Sequence, residues 1–210
     1  MRTLIVALAA VSVLAASAGG QSSTTQPGAA TKPVTTSTSP AMANKNPIVI
    51  METSLGAVKI ELWADKAPDT VKNFLTYVDE KFFDDTIFHR VIPGFMIQGG
   101  GFTKDMEQKK THAAIKNEAS GEVRNARGTL AMARTGNPHS ATAQFFVNVA
   151  DTRFLDKDKA QDGWGYAVFG KVIEGMDVVD KIVAVKTKTS GMFENVPVDP
   201  VVIKSMTLAK

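Results

Sequence analysis

Apolar and polar positions alternate in short runs through most of residues 47–210, and that period of two predicts strands. Residues 48–53 and 57–62 form a first pair, turned at Ser54-Leu55-Gly56 as a hairpin. Residues 86–92 and 95–98 form a second, turned at Pro93-Gly94. Residues 128–133, 144–149, 166–172 and 201–208 are four further strands. Two stretches carry a helical period instead. Pro68 is followed by Val71, Phe74, Leu75 and Val78, an amphipathic spacing with proline in the first turn, and Met176, Val178, Val179, Ile182 and Val183 place a second helix within 175–185. Many short strands with two helices favour a barrel or a strongly curved antiparallel sheet, in which closure hides the strand edges. Residues 103–127 are polar without a clean period and read as a long loop. Residues 151–165 read as a solvated turn, because Asp156, Asp158 and Asp162 lack the glycine and terminal glutamate of a calcium loop.

The pattern is different before residue 47. Arg2 precedes an almost wholly apolar run over residues 4–16, which ends in Ala16-Ser17-Ala18. One basic residue, a short apolar core and small residues at the cleavage positions describe a secretory signal peptide over residues 1–18. An uncleaved N-terminal anchor is the other reading, although the run is short for a bilayer span. Residues 19–46 are dominated by Ser, Thr, Pro, Ala and Gly, with Lys32 and Lys45 the only charges. Such a segment cannot bury enough apolar surface to offset its ordering entropy, so it reads as a disordered tether to a domain at 47–210. Export would place the mature protein in the periplasm or outside the cell, with no stable membrane insertion after cleavage.

Charge and composition narrow the chemistry. Setting aside Arg2, Lys32 and Lys45 leaves 21 basic against 21 acidic residues, without a dense Lys/Arg stripe, which argues against nucleic acid as a partner. The chain has no cysteine, so disulfides, thiol catalysis and Cys-ligated metal are excluded. His89, His112 and His139 are scattered without metal-ligand spacing. No serine sits in a GxSxG elbow, and Gly99-Gly100-Gly101 is followed by Phe102 rather than a P-loop Lys. No cofactor is expected. A chain with no evident nucleophile or cofactor site suits a reaction that breaks no stable covalent bond.

The stretch FHRVIPGFMIQGGG, residues 88–101, stands out because Arg90 and Gln98 interrupt an otherwise apolar strand pair. Strict alternation places Phe88 and Arg90 on one face and His89 on the other. Arg90 either pairs with a carboxylate or snorkels to the rim, or its guanidinium is aimed into an apolar groove. FHRVIPGFMIQGG resembles the signature of the cyclophilins, the peptidyl-prolyl cis/trans isomerases, and GTLAMAR, AQFFVNV and YAVFGKV follow in that family's order. The resemblance covers roughly residues 47–210 and is nearest to exported bacterial members.

It implies a closed eight-stranded antiparallel barrel capped by two helices. It also implies isomerisation of Xaa-Pro bonds in unfolded or partly folded polypeptides, assisting the folding of exported proteins, by a monomer. Arg90 matches the catalytic position, and Gln98 would hold the substrate backbone and steady the guanidinium. Phe95, Met96, Phe146 and Leu155 match the proline pocket, with Phe154 beside them. Ala133 and Arg134 match the segment that pairs with the substrate backbone, and Gln144 and Tyr166 complete the groove. In AQFFVNV, alternation puts Gln144 and Phe146 on one face and the core residue Phe145 on the other. Phe74, Phe82 and Phe169 read as ordinary core. Phe154, Tyr166 and Arg134 stand where well-known eukaryotic members carry Trp, His and Asn; the lost indole donor implies weak inhibition by cyclosporin. Two other functions stay open: a non-catalytic proline-segment-binding module or chaperone, and an envelope interaction protein in which the tether matters most.

Overall fold

The computed structural model describes residues 46–209, so the expected signal peptide and all of the tether but Asn46 lie outside the described residues. Eight strands close an antiparallel barrel: β1 (Ile48–Thr53), β2 (Gly56–Leu62), β3 (Thr86–Ile92), β4 (Met96–Thr103), β5 (Thr129–Met132), β6 (Phe145–Asn148), β7 (Val168–Glu174) and β10 (Val202–Leu208). Their order around the barrel is β1-β10-β3-β4-β6-β5-β7-β2. This is the expected fold, with two helices, α1 (Pro68–Asp79) and α2 (Met176–Val183), closing onto it. Closure leaves no barrel strand with an unpaired edge.

The alternation seen in the sequence becomes inside and outside. Val49, Met51, Val58, Ile60 and Leu62 from the first hairpin are fully buried in the barrel core, together with Phe88, Phe145 and Phe169. Helix α1 fills this core with Phe74, whose ring lies 4.9 Å from Phe83, 5.6 Å from Phe145 and 5.1 Å from Phe169. Burying a phenylalanine contributes about 1.5–3 kcal/mol, so this cluster is a large part of what fixes α1 to the barrel. Two aromatics that the helical spacing did not single out, Tyr77 and Phe83, are also fully buried, whereas Phe82 is only half-buried against Tyr77.

The long loop is strapped down rather than free. The helix position before Pro68, Ala67, has no side chain that can cap α1. Glu118 does so from 48 residues away, accepting from the Thr70 backbone N–H at 2.7 Å and the Thr70 hydroxyl at 2.6 Å. Lys109 Nζ donates to the Phe82 carbonyl at 2.5 Å, and His112 pairs with Glu80 at 2.7 Å.

Most strand ends fall within a residue of expectation, and the larger differences are two boundaries and one added hairpin. Strand β4 runs on through Gly99-Gly100-Gly101 because the neighbouring rings need that space: a Cβ on Gly100 would lie 2.8 Å from Phe145, and one on Gly99 3.0 Å from Phe88. Strand β7 begins at Val168, not Tyr166. A separate two-stranded hairpin, β8 (Thr187–Ser190) and β9 (Phe193–Pro197), packs along β3; its polar Thr-Lys-Thr-Ser strand carries no apolar alternation to betray it.

Candidate active site

Neighbouring strands in register put partner side chains on the same face. Across β3, β4, β6 and β5, one row runs Phe88, Gly99, Phe145, Met132, and the next runs Arg90, Gln98, Phe146, Ala131. The first row belongs to the barrel core and the second lies outside it, where Phe146 and Ala131 join a second apolar cluster with Met96, Leu155 and Val168. Phe145 and Phe146 therefore face as the alternation predicted. Arg90 and Phe88 do not. The register of β3 against β4 slips by one residue between Phe88 and Arg90, leaving His89 as an extra residue opposite the Gly99–Gln98 step. That bulge turns Arg90 to the outer face, away from Phe88.

The outer cluster forms a shallow apolar floor. Met96, Phe146 and Leu155 are buried, and Phe95, Ala133 and Tyr166 are half-buried against them. The Phe95 ring is set by the β3–β4 turn, in which Gly94 adopts φ 72° after Pro93 and the Phe95 N–H returns to the Ile92 carbonyl at 3.1 Å, a type II pattern. Phe154 is 59% exposed and lies 5.4 Å from Phe95, forming a lip rather than floor. Tyr166 meets Phe146 edge-on at 5.7 Å. Ala131 and Val168 complete the floor; Ala131 is two residues from Ala133, so period-two spacing was the signal for it.

Arg90 is half-buried at the edge of this floor and makes no ion pair among the described residues. Burial lowers its pKa, opposed by the nearby Tyr166 and Glu194, and an arginine remains charged under such a shift. Gln98, its cross-strand partner, donates from Nε2 to Gln144 Oε1 at 2.9 Å instead of touching the guanidinium. Gln144 can lie there only because Gly101 has no side chain: a Cβ on Gly101 would stand 2.7 Å from Gln144 Cδ. His89 is 5% exposed, its ring 4.6 Å from Phe102 and its Nδ1 without a partner among the described residues. Burial, then the charge of Arg90, push its pKa down to about 4, so it is neutral beside the cation.

Arg134 is engaged with its own protein. Its Nε donates to the Gly165 carbonyl at 3.1 Å, Nη1 to the Thr135 carbonyl at 3.0 Å, and Nη2 pairs with Asp162, while Cζ stacks 4.4 Å over the Tyr166 ring. Its side chain is 3% exposed. What Arg134 leaves free is its backbone N–H, which has no acceptor among the described residues. The guanidinium positions Tyr166 and the loop that carries it.

The segment before Tyr166 is not a simple solvated turn. A 3₁₀ turn at Arg153–Leu155 presents Phe154 and Leu155, and the Asp156 carboxylate behind it is fully buried. Asp156 accepts from the Asn125 N–H at 2.7 Å and from Arg153 Nε at 2.7 Å, with Arg124 3.5 Å away. Burial pushes its pKa up, but the Asn125 and Arg153 hydrogen bonds outweigh that and hold it below the usual carboxylate range. Thr152, Asn148, Asn125 and Thr129 continue the buried network, with Thr152 Oγ1 to Asn148 Oδ1 at 2.6 Å and Asn148 Nδ2 to Thr129 Oγ1 at 2.9 Å. Residues 157–159 and 161–164 remain exposed, as expected of the turn.

The geometry, a cation at the edge of a shallow apolar floor, agrees with what known proteins add. A family model described as cyclophilin type peptidyl-prolyl cis-trans isomerase/CLD matches residues 48–208. The chain is 59% identical over 168 residues to a peptidyl-prolyl cis-trans isomerase of Acinetobacter baylyi, covering 80% of this chain and 88% of that one. It is 56% identical over 164 residues to peptidyl-prolyl cis-trans isomerase B of Escherichia coli, covering 78% of this chain and 100% of that one. A crystal structure of a Cryptosporidium parvum cyclophilin type isomerase in the presence of the dipeptide Ala-Pro matches with a TM-score of 0.65 at 26% identity, over 78% of this chain and 99% of that one.

Proposed function

The chain belongs to the cyclophilin-type peptidyl-prolyl cis/trans isomerases and catalyses rotation about Xaa-Pro bonds, and from that premise we propose that Arg90 is its catalytic residue and exported polypeptides are its substrates. The observation that carries the site assignment is the Arg90–Gln98–Phe146–Ala131 row, which sets a guanidinium with no ion pair among the described residues beside an apolar floor on one face of the barrel.

Rotation about the imide bond meets a barrier of ~18–20 kcal/mol because amide resonance is lost as the bond twists. Uncatalysed exchange takes roughly 10–100 s, so turnover near ~10³ s⁻¹ needs about 5–7 kcal/mol of transition-state stabilisation. Twisting localises the lone pair on the prolyl nitrogen, which is a poor acceptor in either planar isomer. Arg90 donates to that nitrogen most strongly when the bond is twisted, so its contribution is selective for the transition state. Met96, Phe146 and Leu155 hold the pyrrolidine ring still while the acyl side rotates, with Phe95 and Tyr166 as walls. Gln98 and Gln144 offer amide groups to the substrate backbone, and the free Arg134 N–H supports pairing with it.

Export is supported by Arg2, the apolar run over residues 4–16 and Ala16-Ser17-Ala18, followed by the Ser/Thr/Pro-rich segment that would space the barrel from its surroundings. The substrates are then exported chains whose folding waits on proline isomerisation.

Titrating the protein with an Ala-Pro peptide tests the site by NMR. Shifts confined to the Met96 and Leu155 methyls and the Arg90 Nε–H are expected; shifts confined to α1 or the β8–β9 hairpin would contradict the assignment. N-terminal sequencing of the protein recovered outside the cytoplasm tests export, with a start near residue 19 expected and an intact Met1 contradicting it.

A further inference from the structure

Phe193 on β9 belongs to neither the barrel core nor the apolar floor, yet it starts a column of rings that ends one residue from Arg90. Its ring meets Phe102 of β4 edge-on, with 5.2 Å between centroids, and Phe102 in turn lies 4.6 Å from the His89 ring. Phe102 is buried between the other two, and Phe193 is half-buried. His89 is the bulge residue of β3, the position just before the guanidinium. A tilt of its ring would turn the backbone from which Arg90 projects.

The hairpin is shaped to deliver the Phe193 ring. In the β8–β9 ladder Lys188 faces Val196 and Ser190 faces Phe193, so Thr189 stands opposite two residues, Glu194 and Asn195. Asn195 takes φ 60°, a left-handed conformation that suits such a bulge. The extra residue shifts the period of two. Phe193 and Val196, three apart, are thereby both drawn inward, while Glu194 between them is exposed. Strand β10 pairs with β3 only at Thr86 and Ile87, and β9 packs along the same strand. It reaches the Arg90 end, since the charge of Glu194 acts on that guanidinium.

Packing for its own sake would not select this arrangement. His89 Nδ1 is buried without a partner among the described residues, which an apolar side chain in its place would avoid, and Asn195 occupies a conformation rare for an L residue. Unfavourable local features kept beside a reacting group point to a positional requirement. A donor aimed at a twisting imide nitrogen has one: a misplacement of about 1 Å can lower a rate by about 10²-fold.

We propose that the β8–β9 hairpin sets the aim of Arg90, with Phe193 as the positioning residue: it presses Phe102 against His89 and so fixes the bulge from which the guanidinium projects. Phe193 acts through those two rings and not on the substrate. Its effect falls on turnover rather than on peptide binding, because the floor of Met96, Phe146 and Leu155 is a separate cluster. This inference rests on the reading of Arg90 as the catalytic residue.

The test compares the wild type with Phe193→Ala, Phe193→Leu and Phe193→Tyr. Exchange NMR over a range of concentrations of a short Ala-Pro peptide gives kcat and KM, and the Arg90 Nε–H resonance is recorded without peptide, with the Trp63 indole as a control for the fold. Phe193→Ala should lower kcat about threefold to tenfold with KM within about twofold of wild type, and should shift or broaden the Arg90 resonance while Trp63 stays in place. Phe193→Leu, which keeps apolar bulk but loses the ring, should fall between, and it carries the test if the alanine variant does not fold. Phe193→Tyr keeps the ring and should restore both kcat and the resonance. Wild-type kcat in folded Phe193→Ala and Phe193→Leu proteins, a loss confined to KM, an unmoved Arg90 resonance, or a loss that Phe193→Tyr does not restore would overturn the proposal. No exchange by the wild type would instead sink the isomerase reading, and the Arg90 resonance of the peptide-free variants would still decide whether Phe193 holds the guanidinium.

Discussion

Arg90 and Phe88 are two residues apart on β3 and face opposite sides of the barrel wall. The one-residue bulge at His89 makes the difference: it lets Phe88 enter the core while Arg90 turns to the substrate face. Without it, the strand's period of two would carry the guanidinium into the barrel interior, where an unpaired charge is several kcal/mol unfavourable.

The bulge residue is a pH-sensitive element. His89 is neutral in the fold with a pKa of about 4, below the 6.5 of an exposed histidine. The unfolded chain therefore binds the extra proton between those values, and the contribution of His89 to stability, complete above pH 6.5, is lost as pH falls toward 4. Denaturant unfolding at pH 7 and pH 4.5 should show the wild type losing about 2–3 kcal/mol more than His89→Phe. Parallel losses in the two proteins would contradict this.

Gly101 makes room for Gln144. Gly101→Ala should expel the Gln144 side chain, break its 2.9 Å bond with Gln98 and lower kcat/KM by about tenfold. Thermal unfolding of the variant, run beside the kinetics, should show a smaller change than the activity. A rate equal to wild type would mean that the Gln98–Gln144 pair plays no part.

Asp156 anchors the pocket lip. Asp156→Ala leaves Asn125 and Arg153 without their buried acceptor and should cost about 3–5 kcal/mol in denaturant unfolding at pH 7. Because its pKa is depressed in the fold, this stabilisation is present above the unfolded carboxylate pKa and fades as pH drops below it. The gap between wild type and variant should thus narrow in acid; a gap constant from pH 7 to pH 3 would be inconsistent with it.

Much of this was legible in the chain because local pattern and tertiary position agree. Phe145 and Phe146 face as their alternation says, and Phe74 is core as its helical spacing says. Where they disagree, the cause is a contact the sequence does not record. Strict alternation misplaced Arg90 relative to Phe88, since a bulge has no reliable signature in one strand alone. Asp156 reads as one acidic residue among several in a polar turn, and only its fold partners, Asn125 and Arg153, distinguish it. Arg134 matched a substrate-contacting position, but its side chain is taken up by Asp162, Gly165 and Tyr166. The β8–β9 hairpin had no apolar period to find.

The most direct test of the account is the cis-to-trans exchange rate of a short Xaa-Pro peptide with the wild-type protein, Arg90→Ala and Arg90→Lys, followed by exchange NMR. Removing one transition-state donor should lower kcat/KM by about 10²–10³ in Arg90→Ala, with partial recovery in Arg90→Lys and native spectra for both variants. Undiminished exchange by a folded Arg90→Ala protein would contradict the central claim that this guanidinium stabilises the twisted imide.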